Sequence, residues 1–112
     1  MKPQTIVLAL SALAQESRLA LFRLLVRRGP EGYTPGEIGH KLDIAAPTLS
    51  FHLKALLGAS LITVRRDGRH LYYSANIEQM DRLVGFLTEH CCSLASDGHA
   101  AACRPPREAG RN

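Results

Sequence analysis

The sequence lacks any apolar stretch long enough to cross a membrane. A membrane helix needs about 18 or more consecutive apolar residues, and none of that length occurs among the 112 residues. The amino-terminal segment MKPQTIVLALSALAQES has the basic start and apolar centre of a signal peptide. Ile6, Leu10 and Leu13 nevertheless recur at helical spacing. We therefore expect a packing helix there and no membrane partner.

Cysteine is scarce, and the patterns of common catalytic sites are absent. Three cysteines cannot complete a disulfide framework within one chain, because the number is odd. Reduced thiols suit the cytosol better than the secretory route, so we expect a cytoplasmic protein. The sequence has no Cys-x-x-Cys motif, no thiol in a phosphate-binding loop and no Ser/His/Asp order typical of a triad. These absences argue against an enzyme such as a thiol-dependent reductase.

The residues that are present indicate one basic globular domain. Hydrophobic residues make up 46% of the chain, and the net charge is +4 with a pI near 9.3. Positive charge favours an anionic partner. Beyond Cys92 the sequence becomes rich in Ser, Ala, Gly, Pro and Arg, a composition that predicts loss of order. We expect a folded domain over 1–92 and a flexible tail over 93–112.

Two helices in the middle of the chain follow each other closely. Thr34 is a typical N-cap, with Pro35 at the first helical position and Glu37 completing a capping box. A second helix should begin near Pro47 and bury Leu49, Leu53, Leu56 and Leu57. Apolar spacing and caps together predict helices over 5–13, 16–28, 35–42 and 47–57 and a final helix that begins after Asn76.

The segment LITVRRDGRHLYYS predicts a β-hairpin. Asp67-Gly68 would form a two-residue loop with positive φ at both positions. This register places Val64 opposite Leu71 and Ile62 opposite Tyr73, so both pairs would lie on the core face.

The same register gathers positive charge at the hairpin tip. Arg66 would face Arg69, with Arg65 and His70 on the other face. Like charges across a strand pair repel each other, and a phosphate backbone running past the tip would relieve that repulsion. The alternative is a loop that only improves solubility.

The order of a capped helix, a tight turn, a second helix and a basic hairpin is that of a winged helix-turn-helix, mainly α with a β-hairpin wing. In such a unit the second helix lies in the major groove of double-stranded DNA. Its hydroxyl and amine groups can contact base edges or phosphates, and Phe51 can contact a thymine methyl. The alternative is a solvated helix face, with Phe51 packed within the fold. The candidate DNA contacts are Pro47, Thr48, Ser50, Phe51, His52, Lys54, Arg65, Arg66, Arg69 and His70.

Two segments, ALAQESRLALFRLL and TPGEIGHKLDIAAPTLSFHLKALLGASLITVRRDGRHLYYS, resemble the ArsR/SmtB family of bacterial metal-sensing repressors. The resemblance covers about residues 10–92, and TLSFHLKAL followed by LITVRRDGRHLYY is its most specific part. It implies a homodimer through the first and last helices, which binds operator DNA without metal and is released by an inducer. It also places Ser50 where the family commonly contacts DNA. Ala45 and Ser60 depart from the family, which usually has a capping residue and a glycine at these positions.

Family resemblance does not by itself fix the inducer, because the family places metal ligands at several sites. The segment TPGEIGHKLD lacks the cysteines of one group of arsenic sensors. The zinc sensors have a ligand two residues after Asp81, where this chain has Leu83. The segment EHCCSLASDGHAAAC resembles instead the arsenic sensors with a Cys-Cys pair at the end of the last helix and a later cysteine.

The candidate metal ligands are therefore Cys91, Cys92 and Cys103. Thiolates select soft ions, and arsenic(III) or antimony(III), which takes three sulfurs, is the expected inducer. Adjacent side chains on a regular helix point about 100° apart, so a shared ion requires the last helical turn to fray. Four alternatives stay open: zinc with His90 or His99 as a fourth ligand, a disulfide switch, a metal-buffering protein, and thiols without a role.

Overall fold

The computed structural model describes residues 1–95, which form five helices and one two-stranded antiparallel sheet. In chain order the elements are α1 (Pro3–Leu13), α2 (Glu16–Arg28), α3 (Pro35–Leu42), α4 (Ala46–Gly58), β1 (Ile62–Asp67), β2 (His70–Ala75) and α5 (Ile77–Thr88). Helices α3 and α4 form the helix-turn-helix, and the two strands form the wing, so the predicted fold is confirmed. The predictions for His99, for Cys103 and for the rest of 96–112 lie outside the described residues.

The capping box at the start of α3 forms as predicted. The hydroxyl oxygen of Thr34 accepts a hydrogen bond from the backbone N–H of Glu37 at 3.3 Å, and the Glu37 carboxylate accepts one from the backbone N–H of Thr34 at 2.9 Å. The bond from the Thr34 backbone is the main reason why the pKa of Glu37 lies below its ordinary value. These reciprocal bonds satisfy two backbone donors and fix the entry to the helix-turn-helix.

The turn between α3 and α4 is tight because Asp43 adopts a left-handed conformation. Its φ is 54°, and the backbone N–H of Ile44 donates to the carbonyl of Gly39 at 3.0 Å. The next helix begins after Ala45, which provides no side-chain cap. Helix α4 therefore starts without the side-chain hydrogen bond that a serine would supply there.

A single hydrophobic core lies between the helices and the base of the wing. Helix α4 packs on α1, α2 and α3 and buries Leu49, Leu53 and Leu56, whereas Leu57 is only partly buried. The buried face of α1 consists of Ile6, Ala9 and Ala12, so Leu10 points outward. The predicted packing role of α1 is confirmed, but small residues make most of the contact.

The hairpin register differs from the predicted one. Val64 pairs with Tyr73 and Arg66 pairs with Leu71, so Arg66 does not face Arg69 and the expected repulsive pair does not form. The two-residue loop is Gly68-Arg69, in which only Gly68 has positive φ (65°). Glycine is the preferred residue at the first central position of a type II′ turn, and this preference shifts the loop by one residue.

The wing projects away from the core beyond its first residues. Ile62 is buried, but Val64 and Leu71 are exposed, so the predicted core face of the outer hairpin is wrong. Tyr33 holds the base of the wing through two backbone hydrogen bonds with Tyr73, of 2.9 and 3.0 Å. The outer half of the hairpin is therefore free to contact another molecule.

No single helix among residues 1–95 is both long and apolar enough to cross a membrane. Helices α1 and α2 reach that length and composition only as a pair, and the chain bends by 100° between them.

Candidate nucleic-acid interface and thiol segment

The outer face of α4 presents the side chains predicted to contact DNA. Pro47, Thr48, Ser50 and Lys54 are exposed, and so is Phe51, at 64% of its surface. An exposed phenylalanine of this kind on a small domain often marks a surface that binds another molecule. Packing of Phe51 into the rest of the described chain, the alternative considered above, does not occur.

His52 does not belong to that outer face. Only 6% of its surface is exposed, and Nδ1 of its ring lies 3.4 Å from a guanidinium nitrogen of Arg18. The prediction of a DNA contact at His52 is therefore not met by its side chain. A signal for this was present in the sequence, because His52 follows Leu49 by three residues and precedes Leu56 by four, which puts it on the buried stripe.

The four basic residues of the wing fall into two groups. Arg66 and Arg69 are exposed near the tip, whereas Arg65 donates to the carbonyl of Glu31 at 2.9 Å and stacks on Tyr72 with 4.7 Å to the ring centroid. His70 lies against the edge of the same ring, with 6.3 Å between centroids. Arg65 thus ties the wing to the α2–α3 turn, and Arg66 and Arg69 extend toward solvent.

Tyr33 connects the helix-turn-helix to the wing, a role that the sequence patterns did not indicate. Two cations flank its ring, with the guanidinium of Arg28 at 4.7 Å and the ammonium of Lys41 at 5.3 Å from the centroid. Such contacts stabilise both the ring and the cations. Because Tyr33 also pairs with the wing, it holds the cations at the ends of α2 and α3 close to the base of the hairpin.

The thiol segment is not helical. Helix α5 ends at Thr88, and His90 and Cys92 adopt left-handed conformations with φ of 59° and 62°. A series of turns continues to residue 95. These turns bring the sulfurs of Cys91 and Cys92 to 3.7 Å from each other. Helix α5 thus ends before the two cysteines, as a shared ion would require.

The two adjacent cysteines differ in chemical state. Cys91 is an exposed free thiol, whereas Cys92 takes part in a disulfide bond. Within residues 1–95 no three His, Cys, Asp or Glu side chains gather in a way that could hold a metal ion. Both thiolates of the pair are available to one ion only after reduction of Cys92, and residues 1–95 of one chain supply no third thiol.

The zinc site that the ArsR/SmtB family has on its last helix cannot form at the corresponding positions of this chain. Leu83, which occupies the place of the second ligand, is a buried core residue with 5% exposure. A leucine has no donor atom, so the absence of this site follows from the side chain itself.

Comparison with known proteins gives consistent matches over the helix-turn-helix. A family model described as a helix-turn-helix domain matches residues 13–65. The arsenical resistance operon repressor of Bacillus subtilis is 33% identical over 92 residues, which cover 82% of this chain and 84% of that protein. The HTH-type transcriptional regulator YceK of the same organism is 42% identical over 77 residues, which cover 68% of this chain and 76% of that protein.

A solved structure extends the match to the whole fold. An ArsR-like transcriptional regulator from Rhodococcus sp. RHA1 superposes with a TM-score of 0.71, over 88% of this chain and 89% of that chain. The two sequences are 20% identical, so this likeness concerns the fold alone.

Proposed function

We propose that this chain, which belongs to the ArsR family of winged helix-turn-helix transcriptional regulators, is a repressor. It binds operator DNA as a homodimer and dissociates from the DNA when it binds arsenic(III). Its relatives are transcriptional regulators and not enzymes. The inducer is arsenite or a similar trivalent arsenic or antimony compound, bound by the thiolates of Cys91, Cys92 and Cys103. The protein acts in the cytoplasm, where these thiols are kept reduced.

The exposed face of α4 supports operator binding most directly. Ser50 and Lys54 offer a hydroxyl and an ammonium group to base edges or phosphates, and Phe51 offers an apolar contact for a thymine methyl. Arg66 and Arg69 at the wing tip lie on an element that projects from the body and can follow the phosphate backbone. Sequence-independent attraction from the net positive charge adds to both.

Unpartnered apolar side chains on α1 and α5 support the homodimer. Val7 and Leu8 of α1 are 61% and 52% exposed, and Leu87 of α5 is 57% exposed. Helix α5 buries only Gln79 and Leu83 within the described chain. A second copy of the chain would remove this apolar area from water, at about 25 cal/mol per Å².

Spacing of the two adjacent sulfurs supports a shared soft ion. Two sulfurs held about 2.3 Å from one ion, at an angle of about 90–110°, lie about 3.3–3.8 Å apart. The observed 3.7 Å between the Cys91 and Cys92 sulfurs falls in that interval. The repressor of an arsenical resistance operon among the relatives favours arsenic over zinc, because thiolates prefer the softer ion.

The disulfide at Cys92 favours a second candidate, a redox-responsive repressor of the same fold. Oxidation would remove the Cys92 thiolate from the arsenic site and fix the end of α5 in one arrangement. The two candidates differ in what releases the DNA, since one needs arsenic(III) on the reduced protein and the other needs an oxidant alone.

Fluorescence anisotropy of a labelled DNA from upstream of the protein's own gene separates the candidates. The protein is reduced with a phosphine, because a dithiol would compete for the ion, and arsenite, zinc and an oxidant are titrated in parallel. Release by arsenite alone is the expected result. Release by zinc alone, or by the oxidant alone, would replace arsenic(III) as the inducer, and no binding at all would contradict the repressor assignment.

A further inference from the structure

Arg18 connects three helices through one side chain. It lies in the first turn of α2, and its Nε donates to the carbonyl of Ala12 at the end of α1 at 2.7 Å. One of its terminal nitrogens lies 3.4 Å from Nδ1 of His52 in the middle of α4. Arginine has no acceptor, so Arg18 is the donor in both contacts, and the contact with His52 requires the tautomer that has no proton on Nδ1.

His52 is suited to accept that hydrogen bond only while it is neutral. Its burial, and secondly the Arg18 guanidinium, hold the pKa of His52 below its ordinary value. The core residues that α1, α3 and β1 bring to α4 are apolar, among them Ala9, Ile38 and Ile62. Arg18 from α2 is therefore the charged group that faces this imidazole in the described core.

The position of the buried His52 determines the position of its exposed neighbours in α4, which are candidate DNA contacts. His52 follows Phe51 directly, and their rings lie 5.8 Å apart at an interplanar angle of 59°. A change in the position of His52 moves the backbone that bears Ser50 and Phe51. Because Arg18 contacts both α1 and α4, it consequently fixes the orientation of α4, and of its exposed face, relative to α1.

We propose that Arg18 and His52 form a positioning bridge that sets the recognition helix α4 against α1, so that operator affinity requires both partners although neither touches DNA. The bridge is sensitive to protonation, because a proton on Nδ1 removes the acceptor and places an imidazolium against the guanidinium. This inference rests on the proposed operator binding. It adds a structural connection between α1 and the exposed face of α4, and this connection does not involve the thiol segment.

Substitutions at Arg18 test the bridge. Arg18→Lys keeps the charge but loses the fork that reaches two acceptors, and Arg18→Met loses both charge and fork. Each is expected to weaken operator binding about tenfold or more, as loss of a partly buried charge-assisted hydrogen bond does. Arg23→Met is the matched control, because it removes an exposed arginine from the same helix. Equal losses for Arg18→Met and Arg23→Met would overturn the proposal.

Substitutions at His52 keep the test valid if the Arg18 variants do not fold. Asn places an amide oxygen near the position of Nδ1 and does not titrate, whereas Leu has the volume without an acceptor. His52→Asn is expected to bind operator at least about fivefold more tightly than His52→Leu at pH 7.5. Equal affinities for the two variants would overturn the proposal.

The pH profile gives a readout that a merely structural role would not change. As the pH falls, protonation of His52 opposes operator binding, because it removes the acceptor that Arg18 contacts. Wild-type affinity should therefore fall relative to that of His52→Asn as the pH is lowered from 7.5 to 5, with the steepest fall at the acid end, because the pKa of His52 lies below its ordinary value. Parallel profiles would overturn the bridge. If the wild-type protein binds no operator at any pH, the proposed function itself fails, and the bridge fails with it.

Discussion

Ser60 shows how a single residue stores strain in this fold. Its φ is 60°, in the left-handed region that costs a non-glycine residue about 1–2 kcal/mol. Its backbone N–H donates to the carbonyl of Leu57, and its carbonyl accepts from the side chain of Asn76. These bonds keep the turn between α4 and the wing in place, so the strain persists in the folded state.

We predict that Ser60→Gly stabilises the protein by about 0.5–1 kcal/mol, because glycine adopts this conformation freely and the backbone hydrogen bonds remain. The measurement is the free energy of unfolding from urea denaturation. Ser11→Gly, at an exposed position in the last turn of α1, is the matched control and should destabilise by a similar amount. A loss of stability in Ser60→Gly would show that the hydroxyl has a structural role.

At the residue scale, most side chains predicted to contact DNA on α4 are exposed, but His52 is buried. His52 lies on the stripe of Leu49, Leu53 and Leu56, and spacing alone could have shown its burial. Arg18 lies likewise three residues before Leu21 and four before Phe22, on the buried stripe of α2. Their contact could not have been predicted, because it depends on how two helices cross.

At the scale of elements, we propose that the wing contributes to DNA affinity separately from α4. Arg65 and Tyr33 hold its base, and Arg66 and Arg69 extend from its outer half. Interactions with phosphates release counterions, so their number appears in the salt dependence of binding.

We predict that Arg66→Ala and Arg69→Ala each reduce the slope of log affinity against log salt by about 0.9, the value for one phosphate contact. Operator titrations between 50 and 200 mM salt, a range in which several phosphate contacts give a large change, measure this slope. Arg82→Ala removes a cation that pairs with Glu78 on α5 and should leave the slope unchanged. An unchanged slope in both wing variants would remove the wing tip from the interface.

Sequence patterns predicted elements well where local hydrogen bonds decide the structure. The capping box at Thr34 and the extent of α2 are of this kind, because their partners are neighbours in the chain. The register of the wing was wrong because Asp67-Gly68 and Gly68-Arg69 are both plausible loops, and the structure uses glycine at the first position. The cap missing at Ala45 was visible in the sequence and is confirmed.

At the scale of the whole molecule, the proposed dimer would let an inducer bound at the end of α5 change DNA binding. In the proposed dimer the ends of α5 lie at the seam, and the two α4 helices must reach major grooves about 34 Å apart. A small rotation at the seam changes that spacing. Moving the protein from mostly bound to mostly released needs a coupling of several kcal/mol between the two sites.

We predict that Leu87→Glu converts the protein from dimer to monomer, because burying an unpaired carboxylate at the seam costs several kcal/mol. Sedimentation equilibrium measures the molecular mass. Leu71→Glu makes the same change at an exposed leucine of the wing and should leave the dimer intact. A dimeric Leu87→Glu variant would place the interface elsewhere.

The position of the inducer site could be predicted only in part. The helix ends at Thr88, as a shared ion at Cys91 and Cys92 would require, and the sulfurs of these two cysteines lie close together. The third ligand remains a prediction, because Cys103 lies outside the described residues. The disulfide at Cys92 was one of several open alternatives, and no local pattern selects it.

The most direct test of the account is the arsenite concentration that releases half of the operator from the phosphine-reduced protein, measured by anisotropy for the wild type, Cys92→Ser and Ser93→Ala. Ser93→Ala alters the neighbouring residue without removing a sulfur and should match the wild type. Cys92→Ser should bind operator normally but need at least about tenfold more arsenite, because one of three sulfur bonds is lost. Release of Cys92→Ser at the wild-type arsenite concentration would contradict the claim that this thiol is part of the inducer site.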